Sequence, residues 1–460
     1  MRDFLPADVR KREYVIDVIK SVYESYGYEP LETPAVENIE TLMGKYGEEG
    51  NQLVFKILKR GKKLKELTEL TELTKLAELA NSPNSANSAN SLNSLSDLGL
   101  RYDLTVPLAR VVANRRNDLP KFFKRYQIQP VWRADRPAKG RFREFFQCDV
   151  DAIGSTSMVV EAELLMAVTE IMKRLGFSDF TIRLNHRKVL TDILDTAGVA
   201  RNKQTDALVA IDKLDKIGPE GVAEELSARG VDGNSCTMLL EIFEQTNEMM
   251  QQEGNINRLV VSNLINIVSN EVLSELGQIL KFAEKAPILL DPSLARGLSY
   301  YTGAIMELNV PDLGGSLGGG GRYDTLIGMF GKEQIPACGF SLGLERILVV
   351  MDERNMFPPE IAASTAADVM VTIWNEETIP QSLKLATELR SQGLRVIVYP
   401  EADQLGKQIK YADSIHVPWV CVLGESEIAD NKVTLKNMSS GEQQVVHRSE
   451  AARLLAAYKK

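Results

Sequence analysis

The residues whose types and spacing most clearly suggest chemistry in this sequence are arginines. Arg133 follows a strand-like run, and the positions after it carry Asp135, Arg136, Arg141 and Arg143. A guanidinium suits phosphate because its planar fork donates two parallel hydrogen bonds and stays charged. This segment therefore predicts a nucleotide-binding hairpin, and a charged surface hairpin is the alternative.

Two further segments carry an arginine in a chemically suggestive setting. Arg296 precedes the pair Tyr300 and Tyr301, a combination that could bind a carboxylate or phosphate and present hydroxyls to a polar ring. Half-buried strand packing is the alternative for paired tyrosines. The segment Gly339–Arg346 predicts a strand that leads into a helix, with the arginine near the helix start, where anions are favoured. A plain strand–helix junction is the alternative there.

Length and composition limit the classes of protein that remain. A chain of 460 residues predicts two to four domains. The net charge of −9 means that RNA binding needs a local basic patch, for which Lys121–Arg143 is the better candidate and Lys56–Lys65 the weaker. No apolar run has the length of a membrane span. The four cysteines lie far apart, which argues against a zinc site and favours a reducing, cytoplasmic location.

The elements that must position these side chains can be predicted from periodicity. Apolar spacing predicts helices over Ala7–Tyr26 and Met158–Leu175, and strands over Arg125–Val131 and Phe142–Ile153 flank the arginine-rich loop. The glycines between Gly314 and Gly321 are interpreted as a turn.

Composition and the predicted elements divide the chain into segments. Residues 1–184 form a first part, which includes a low-complexity insert at 60–98, interpreted as a mobile loop to which we assign no chemistry. Residues 185–285 predict a separate helical insertion, and 286–360 resume the first domain. After a linker around Pro358–Thr365, residues 366–460 predict a compact α/β domain.

Taken in this order, the segments resemble the class II aminoacyl-tRNA synthetases, and specifically the histidyl-tRNA synthetases. The segment Phe123–Asp151 looks like motif 2 of that class, and Gly339–Arg346 looks like motif 3. The most specific part is the pair Arg296–Tyr301 and Gly319–Asp324, which is private to histidine enzymes. The resemblance implies an α+β fold: a catalytic domain on an antiparallel sheet with a helical insertion, plus a C-terminal α/β anticodon-binding domain.

The resemblance also implies roles for individual residues. Three arginines would be catalytic: Arg133, Arg296 and Arg346. The residues that would bind ATP are Arg133, Asp135, Arg141, Phe145 and Arg346. Those that would bind histidine are Asp103, Thr105, Gln147, Asp151, Tyr300 and Tyr301. The partners would be L-histidine, ATP with Mg²⁺ and the tRNA for histidine, with no metal ion held by protein ligands and no membrane.

A homodimer is expected as well, with Ala7–Tyr26 and Leu31–Val36 against the partner, burying Val15, Ile19 and Tyr23. The main alternative is a catalytically inactive, synthetase-like regulatory subunit of ATP phosphoribosyltransferase, which typically lacks the C-terminal domain and the catalytic arginines. The chain departs from the family in two places: it has Arg-Tyr-Asp103-Leu-Thr105 where Arg-Pro-Glu-Gly-Thr is common, and Phe146 where a histidine is common.

Overall fold

A mostly antiparallel eight-stranded sheet forms the centre of the first of two units in this computed structural model, which describes residues 1–59, 96–250, 256–295, 300–362 and 367–457. Its strands are β1 (Glu29–Pro30), β5 (Phe123–Trp132), β6 (Glu144–Ile153), β7 (Thr181–His186), β8 (Ile288–Leu290), β9 (Ala304–Asn309), β10 (Gly318–Arg322) and β11 (Ala337–Gly343). They lie in the order β1-β5-β6-β11-β10-β9-β7-β8, and only β1/β5 and β7/β8 pair in parallel. The predicted antiparallel sheet is confirmed.

A small sheet of three strands lies in the same unit. It contains β2 (Val36–Asn38), β3 (Lys56–Leu58) and β4 (Ser96–Leu100) in the order β2-β4-β3. Residues 60–95, most of the predicted insert, lie outside the described residues. The strand β4 shows that the last three positions of the predicted insert, 96–98, belong to this sheet.

The first unit contains helices against β6, helices near the small sheet and a run of six described helices between β7 and β8. They are α1 (Pro6–Ser25), whose residues 6–11 belong to the second unit, α2 (Ile39–Leu42), α3 (Gly47–Gln52), α4 (Thr105–Asn114), α5 (Val159–Arg174), α6 (Arg187–Thr196), α7 (Gln204–Ile211), α8 (Leu214–Ala228), α9 (Gly233–Met250), α10 (Ile256–Leu264), α11 (Asn270–Phe282) and α12 (Leu344–Glu353). The helix-rich texture predicted for 185–285 is confirmed as α6 to α11, whereas its independence as a domain stays a prediction. Among the described helices, none combines the length and apolar character needed to cross a membrane.

The apolar face of α1 is covered by the chain itself. Val15, Ile19 and Tyr23 have no exposed surface, and the Tyr23 hydroxyl donates to the carbonyl of Cys148 at 3.2 Å, so the helix packs beside β6. The expectation that a partner subunit buries these three side chains is therefore wrong. Periodicity reveals that a helix has an apolar face, but not which surface covers it.

The glycine-rich segment around Gly320 is a strand rather than the predicted turn. Strand β10 pairs with β9 on one side and β11 on the other. A Cβ on Gly320 would lie 2.0 Å from the carbonyl oxygen of Gly339, and one on Gly321 would lie 2.5 Å from that of Ala304. Glycine is depleted in strands, which misled the prediction, but here close backbone approach requires it.

The second compact unit comprises Phe4–Lys11 and Phe357–Lys460. After α13 (Pro359–Ala362) it contains β12 (Val369–Val371), α14 (Ile379–Ser391), β13 (Val396–Val398), α15 (Leu405–Ser414), β14 (Trp419–Val422), α16 (Glu425–Ala429), β15 (Lys432–Asn437), β16 (Gln443–His447) and α17 (Arg448–Ala457). The sheet order is β13-β12-β14-β15-β16, with β12 parallel to both neighbours. The α/β character predicted for this region is confirmed, and residues 363–366, around the predicted linker, lie outside the described part.

Candidate active site

Alternate side chains of β6 place a row of polar groups on one face of the large sheet. Gln147, Asp149 and Asp151 share this face because successive side chains of a strand point to opposite sides. Between them, Cys148 and Val150 point to the other side, where α5 and α12 pack. The strand thus separates an apolar core face from a polar face.

A cavity opens on this polar face. Its lining brings together residues from five separate stretches of the sequence: Thr105, Asp149, Asp151, Tyr300, Tyr301, Gly319, Gly320, Tyr323, Gly339, Phe340 and Ser341. Asp103 lies beside this lining, because its Oδ2 is 3.5 Å from the Tyr300 hydroxyl. Gln147 also lies beside it, because its side-chain amide donates to Ser341 Oγ at 2.8 Å. The six predicted histidine-binding residues therefore lie together.

Arg125 is the buried cation of this cluster. Its side chain has no exposed surface, and Nη2 lies 2.8 Å from Asp151 Oδ2 and 4.0 Å from Asp149 Oδ2. Asp103 is held separately, since its Oδ1 accepts from the Tyr46 hydroxyl at 3.0 Å and from the backbone N–H of Val106 at 3.1 Å. Two buried carboxylates thus lie at one guanidinium, and a third, Asp103, is held by its own donors.

Burial dominates the titration of these acids. It raises the pKa of Asp149 to about 7, against the lowering effect of Arg125, and the charge of Asp151 adds to the rise. Burial also raises the pKa of Asp103 and Asp151. Because Gln147 Oε1 and Asp149 Oδ1 are buried without a hydrogen-bond partner, the cavity favours a ligand that donates hydrogen bonds and carries positive charge.

Tyrosine rings form the opposite wall. Tyr300 packs edge-on against Tyr301, with ring centroids 5.1 Å apart, and against Tyr323 at 6.0 Å. The Tyr323 hydroxyl donates to Asp151. Burial raises the pKa of Tyr300 and Tyr323 well above the ordinary value, so both hydroxyls stay protonated and act as donors.

The predicted phosphate-binding arginines lie beyond this cavity. Arg133 donates through Nε to the Tyr102 carbonyl at 3.1 Å, and its guanidinium lies over the rings of Tyr102 and Phe145, at 4.3 and 5.2 Å from their centroids. Arg346, in the first turn of α12, donates to the Ser316 carbonyl at 2.5 Å. Its Cγ would lie 3.3 Å from a Cβ on Gly140, so it rests against the arginine-rich loop.

The remaining predicted nucleotide-binding residues lie in or beside the same loop. Arg141 is exposed and closes a tight turn with Ala138, while the backbone carbonyl of Asp135 accepts from Arg143 Nε at 3.2 Å. Phe145 is half-buried on β6. Arg296 lies outside the described residues, so its assigned role stays a prediction.

Sequence reasoning missed several residues of this site, among them Arg125, Asp149 and Glu345. A signal was present for Asp149, because it alternates with Gln147 and Asp151 along one strand. Arg125 became identifiable only through the register, which places it opposite Asp151.

Glu345 is a buried carboxylate under the arginine-rich hairpin. It is 3% exposed, and both of its oxygens accept from the backbone N–H of Phe146, at 3.1 and 2.9 Å. Burial raises its pKa to about 7, although Arg2 and Arg12 lower it. The carboxylate therefore holds the end of β6 against α12.

Replacing Glu345 by Gln should reveal this shifted titration. Between about pH 4.5 and pH 7 the folded chain keeps a proton that the unfolded chain loses, so stability falls as the pH rises through this window. Because the glutamine of Glu345→Gln does not titrate, the variant does not lose this stability. Its free energy of unfolding relative to that of the unchanged chain should therefore increase by roughly 1–3 kcal/mol from pH 5 to pH 8. Urea unfolding at both pH values measures the difference, and a pH-independent difference would contradict the assignment.

Comparisons with known proteins show the family of the chain. The family model described as histidyl-tRNA synthetase matches residues 1–74 and 80–347, which is more than half of the chain. The chain belongs to the histidyl-tRNA synthetase family. A second model, described as an anticodon-binding domain, matches residues 368–458.

Individual members of the histidyl-tRNA synthetase family agree over the full length. The chain is 42% identical to histidine–tRNA ligase of Porphyromonas gingivalis, covering 99% of this chain and 98% of that protein. It is 40% identical to histidine–tRNA ligase of Cytophaga hutchinsonii, covering 97% of each. Among solved structures, the histidyl-tRNA synthetase from Nostoc sp. PCC 7120 matches with a TM-score of 0.76 at 30% identity, covering 99% of this chain and 97% of that one.

Proposed function

We propose that this chain is a histidine–tRNA ligase. A carboxylate oxygen of L-histidine attacks the α-phosphorus of ATP, which forms histidyl-adenylate and releases pyrophosphate. A ribose hydroxyl at the 3′ end of the tRNA then attacks the acyl carbon and releases AMP. The observation that carries the proposal is an acid-lined cavity beside a loop rich in arginine, within a chain whose full-length relatives are histidine–tRNA ligases.

The cavity supplies what histidine needs for recognition. Its ammonium group requires acceptors, which Asp103, Gln147 and Asp151 offer, and its ring requires polar groups at fixed positions, which Tyr300 and Tyr301 offer. Because these groups are buried, a ligand that leaves them without partners is disfavoured. Thr105, in the first turn of α4, completes the lining.

The arginines supply what ATP needs. Arg133 would contact the α-phosphate and the histidine carboxylate, and Arg346 the γ-phosphate, while Asp135, Arg141 and Phe145 would bind the rest of the nucleotide. Fixed donors of this kind stabilise the charge that develops during transfer at phosphorus. We assign the same task to Arg296. Mg²⁺ would be carried by the ATP phosphates.

The domain assignment follows from this function. We propose a catalytic domain of residues 1–184 and 286–360, with the helical insertion 185–285 clamping the acceptor arm of the tRNA and residues 366–460 binding the anticodon. A cytoplasmic location is proposed with it, supported by four cysteines that are all buried and free.

Aminoacylation separates this function from its main alternative. The chain should charge a transcript of the tRNA for histidine with labelled histidine in an ATP-dependent reaction. Activation of an ATP phosphoribosyltransferase without any aminoacylation would instead support the regulatory subunit. The full-length relatives and the match of 368–458 to an anticodon-binding domain favour the ligase.

We also propose a homodimer. With α1 covered internally, the supporting observation is a set of exposed apolar side chains on the small sheet: Val36 at 40%, Leu58 at 58% and Leu98 at 37% exposure. Sedimentation at micromolar concentration should show a dimer, and Leu98→Lys should shift it toward monomer. A monomer for the unchanged chain would contradict the proposal.

Tyr301→Phe should weaken selection for histidine without affecting ATP. The ring lies 8% exposed in the cavity wall, so the substitution removes one hydroxyl and little volume. A neutral hydrogen bond contributes about 0.5–1.5 kcal/mol, which corresponds to a two- to tenfold rise in the KM for histidine. Steady-state pyrophosphate exchange measures it, and a changed KM for ATP would show that the ring acts elsewhere.

A further inference from the structure

We propose that Asp149 contacts the bound amino acid directly, with its unpaired carboxylate oxygen accepting a hydrogen bond from an N–H group of histidine. This inference rests on the proposed function and adds a specificity-determining residue to the cavity. Asp149 lies in the middle of the polar row on β6, between Gln147 and Asp151.

The two oxygens of Asp149 have different surroundings. Oδ2 lies 4.0 Å from Arg125 Nη2, and the nearby Ser341, whose Oγ accepts from Gln147, lowers the pKa of Asp149. Oδ1 is buried and has no hydrogen-bond partner. The side chain is 2% exposed and lines the cavity. One carboxylate oxygen therefore faces a space that a ligand can fill.

A carboxylate with only a structural role at this depth is expected to have both oxygens paired. Glu161 in the same unit shows this arrangement, with Oε1 and Oε2 at 2.6 and 2.8 Å from Arg322 Nε and Nη2. A buried acceptor without a partner is costly, and a donor supplied by the ligand removes that cost. The same donor would favour the ionised form of Asp149, whose pKa burial raises to about 7.

The groups that face Asp149 leave the donor to the ligand. Arg125 on β5 and Ser341 on β11 already act on its carboxylate, and Asp151 and Asp103 are themselves acids. Gln127, which lies opposite Asp149 in the β5/β6 register, donates its amide to Thr33 and Gln129 instead. The glycines at 319, 320 and 339 add no side chains to the cavity lining. The ligand group must therefore be an N–H, from either the ammonium or the imidazole of histidine.

Asp149→Asn tests the contact while keeping the side-chain volume. In pyrophosphate exchange, the KM for histidine should rise about ten- to a hundredfold, the range for a hydrogen bond to a charged group, while the KM for ATP stays within about twofold. Glu37→Gln is the matched control. Glu37 is 6% exposed and forms an ion pair with Arg110 at 2.7 Å, and neither residue lines the cavity. This control substitution should lower stability and leave the KM for histidine unchanged.

Two inhibitors identify which nitrogen is involved. Histidinol keeps the ammonium group and loses the carboxylate, whereas imidazole propionate keeps the ring and carboxylate and loses the ammonium. If Asp149 accepts from the ammonium, Asp149→Asn weakens histidinol and spares imidazole propionate. If it accepts from the ring, both weaken.

A structure of the unchanged chain with histidine provides a test that does not depend on the variant folding. It should show Asp149 Oδ1 within hydrogen-bond distance of a ligand nitrogen, and an Asp149 turned away from the ligand would overturn the inference. An unchanged KM for histidine in a folded Asp149→Asn would do the same. Absence of histidine exchange in the unchanged chain would instead refute the proposed function.

Discussion

Arg133→Ala should reduce the rate of adenylate formation by a factor of about a hundred to a thousand, the effect of removing one preorganised donor from a developing charge. The arginine is preorganised because its Nε is fixed by the Tyr102 carbonyl and its guanidinium lies over two aromatic rings. Rapid-quench measurement of a single turnover, with saturating histidine and ATP, isolates this step. Arg133→Lys should recover little of the rate, because an ammonium lacks the planar fork.

Arg136→Ala is the matched control for loss of charge. Arg136 is exposed in the same loop, so its removal changes the net charge equally without altering a fixed donor. Its rate should stay within about threefold of the unchanged chain, since exposed charges act through screened fields. Equal losses for the two variants would show that loop charge, rather than the placement of Arg133, drives the step.

Glu161→Ala should lower the free energy of unfolding by about 3–5 kcal/mol, because it leaves a buried guanidinium without its main partner. Glu161 has no exposed surface and binds Arg322 through both oxygens, at 2.6 and 2.8 Å. The pair links α5 to the end of β10, and Arg322 also donates to the Ser155 carbonyl, before α5, at 2.9 Å. Denaturant unfolding of the variant, with enzyme activity followed in parallel, measures the loss.

Asp179→Ala is the matched variant at an exposed ion pair, for comparison with the buried pair of Glu161 and Arg322. Asp179 binds Arg354 through both oxygens at 2.7 and 2.8 Å, but its side chain is 44% exposed. Its loss should cost less than about 1 kcal/mol, as for other exposed ion pairs. If both variants lost the same stability, burial would not be the cause of the difference.

Periodicity and motif order predicted the larger features of this fold. The hairpin of β5 and β6, the helices α1 and α5, and the helical stretch between β7 and β8 each have a strong repeating pattern in the sequence. Strand β10 does not, since four of its five residues are glycine and carry no side chain to show alternation. Its strand character comes from neighbours on both sides, which only the assembled sheet provides.

The site was predictable where a family motif exists and unpredictable where register decides. Asp103, Tyr300 and Tyr301 follow from motifs, whereas Arg125 faces Asp151 only because β5 and β6 pair in one register. The internal covering of α1 was hidden for a similar reason. The partner of an apolar face is a long-range property that a local pattern does not contain.

Pyrophosphate exchange with each of the twenty amino acids tests the central claim most directly. The cavity presents buried acceptors and tyrosine hydroxyls that imidazole and ammonium can satisfy together, so ligands without ring nitrogens should be rejected by as much as about 10⁴-fold. We expect ATP-dependent exchange with histidine and negligible exchange with phenylalanine or glutamine. Comparable exchange with a second natural amino acid, or none with histidine, would contradict the account.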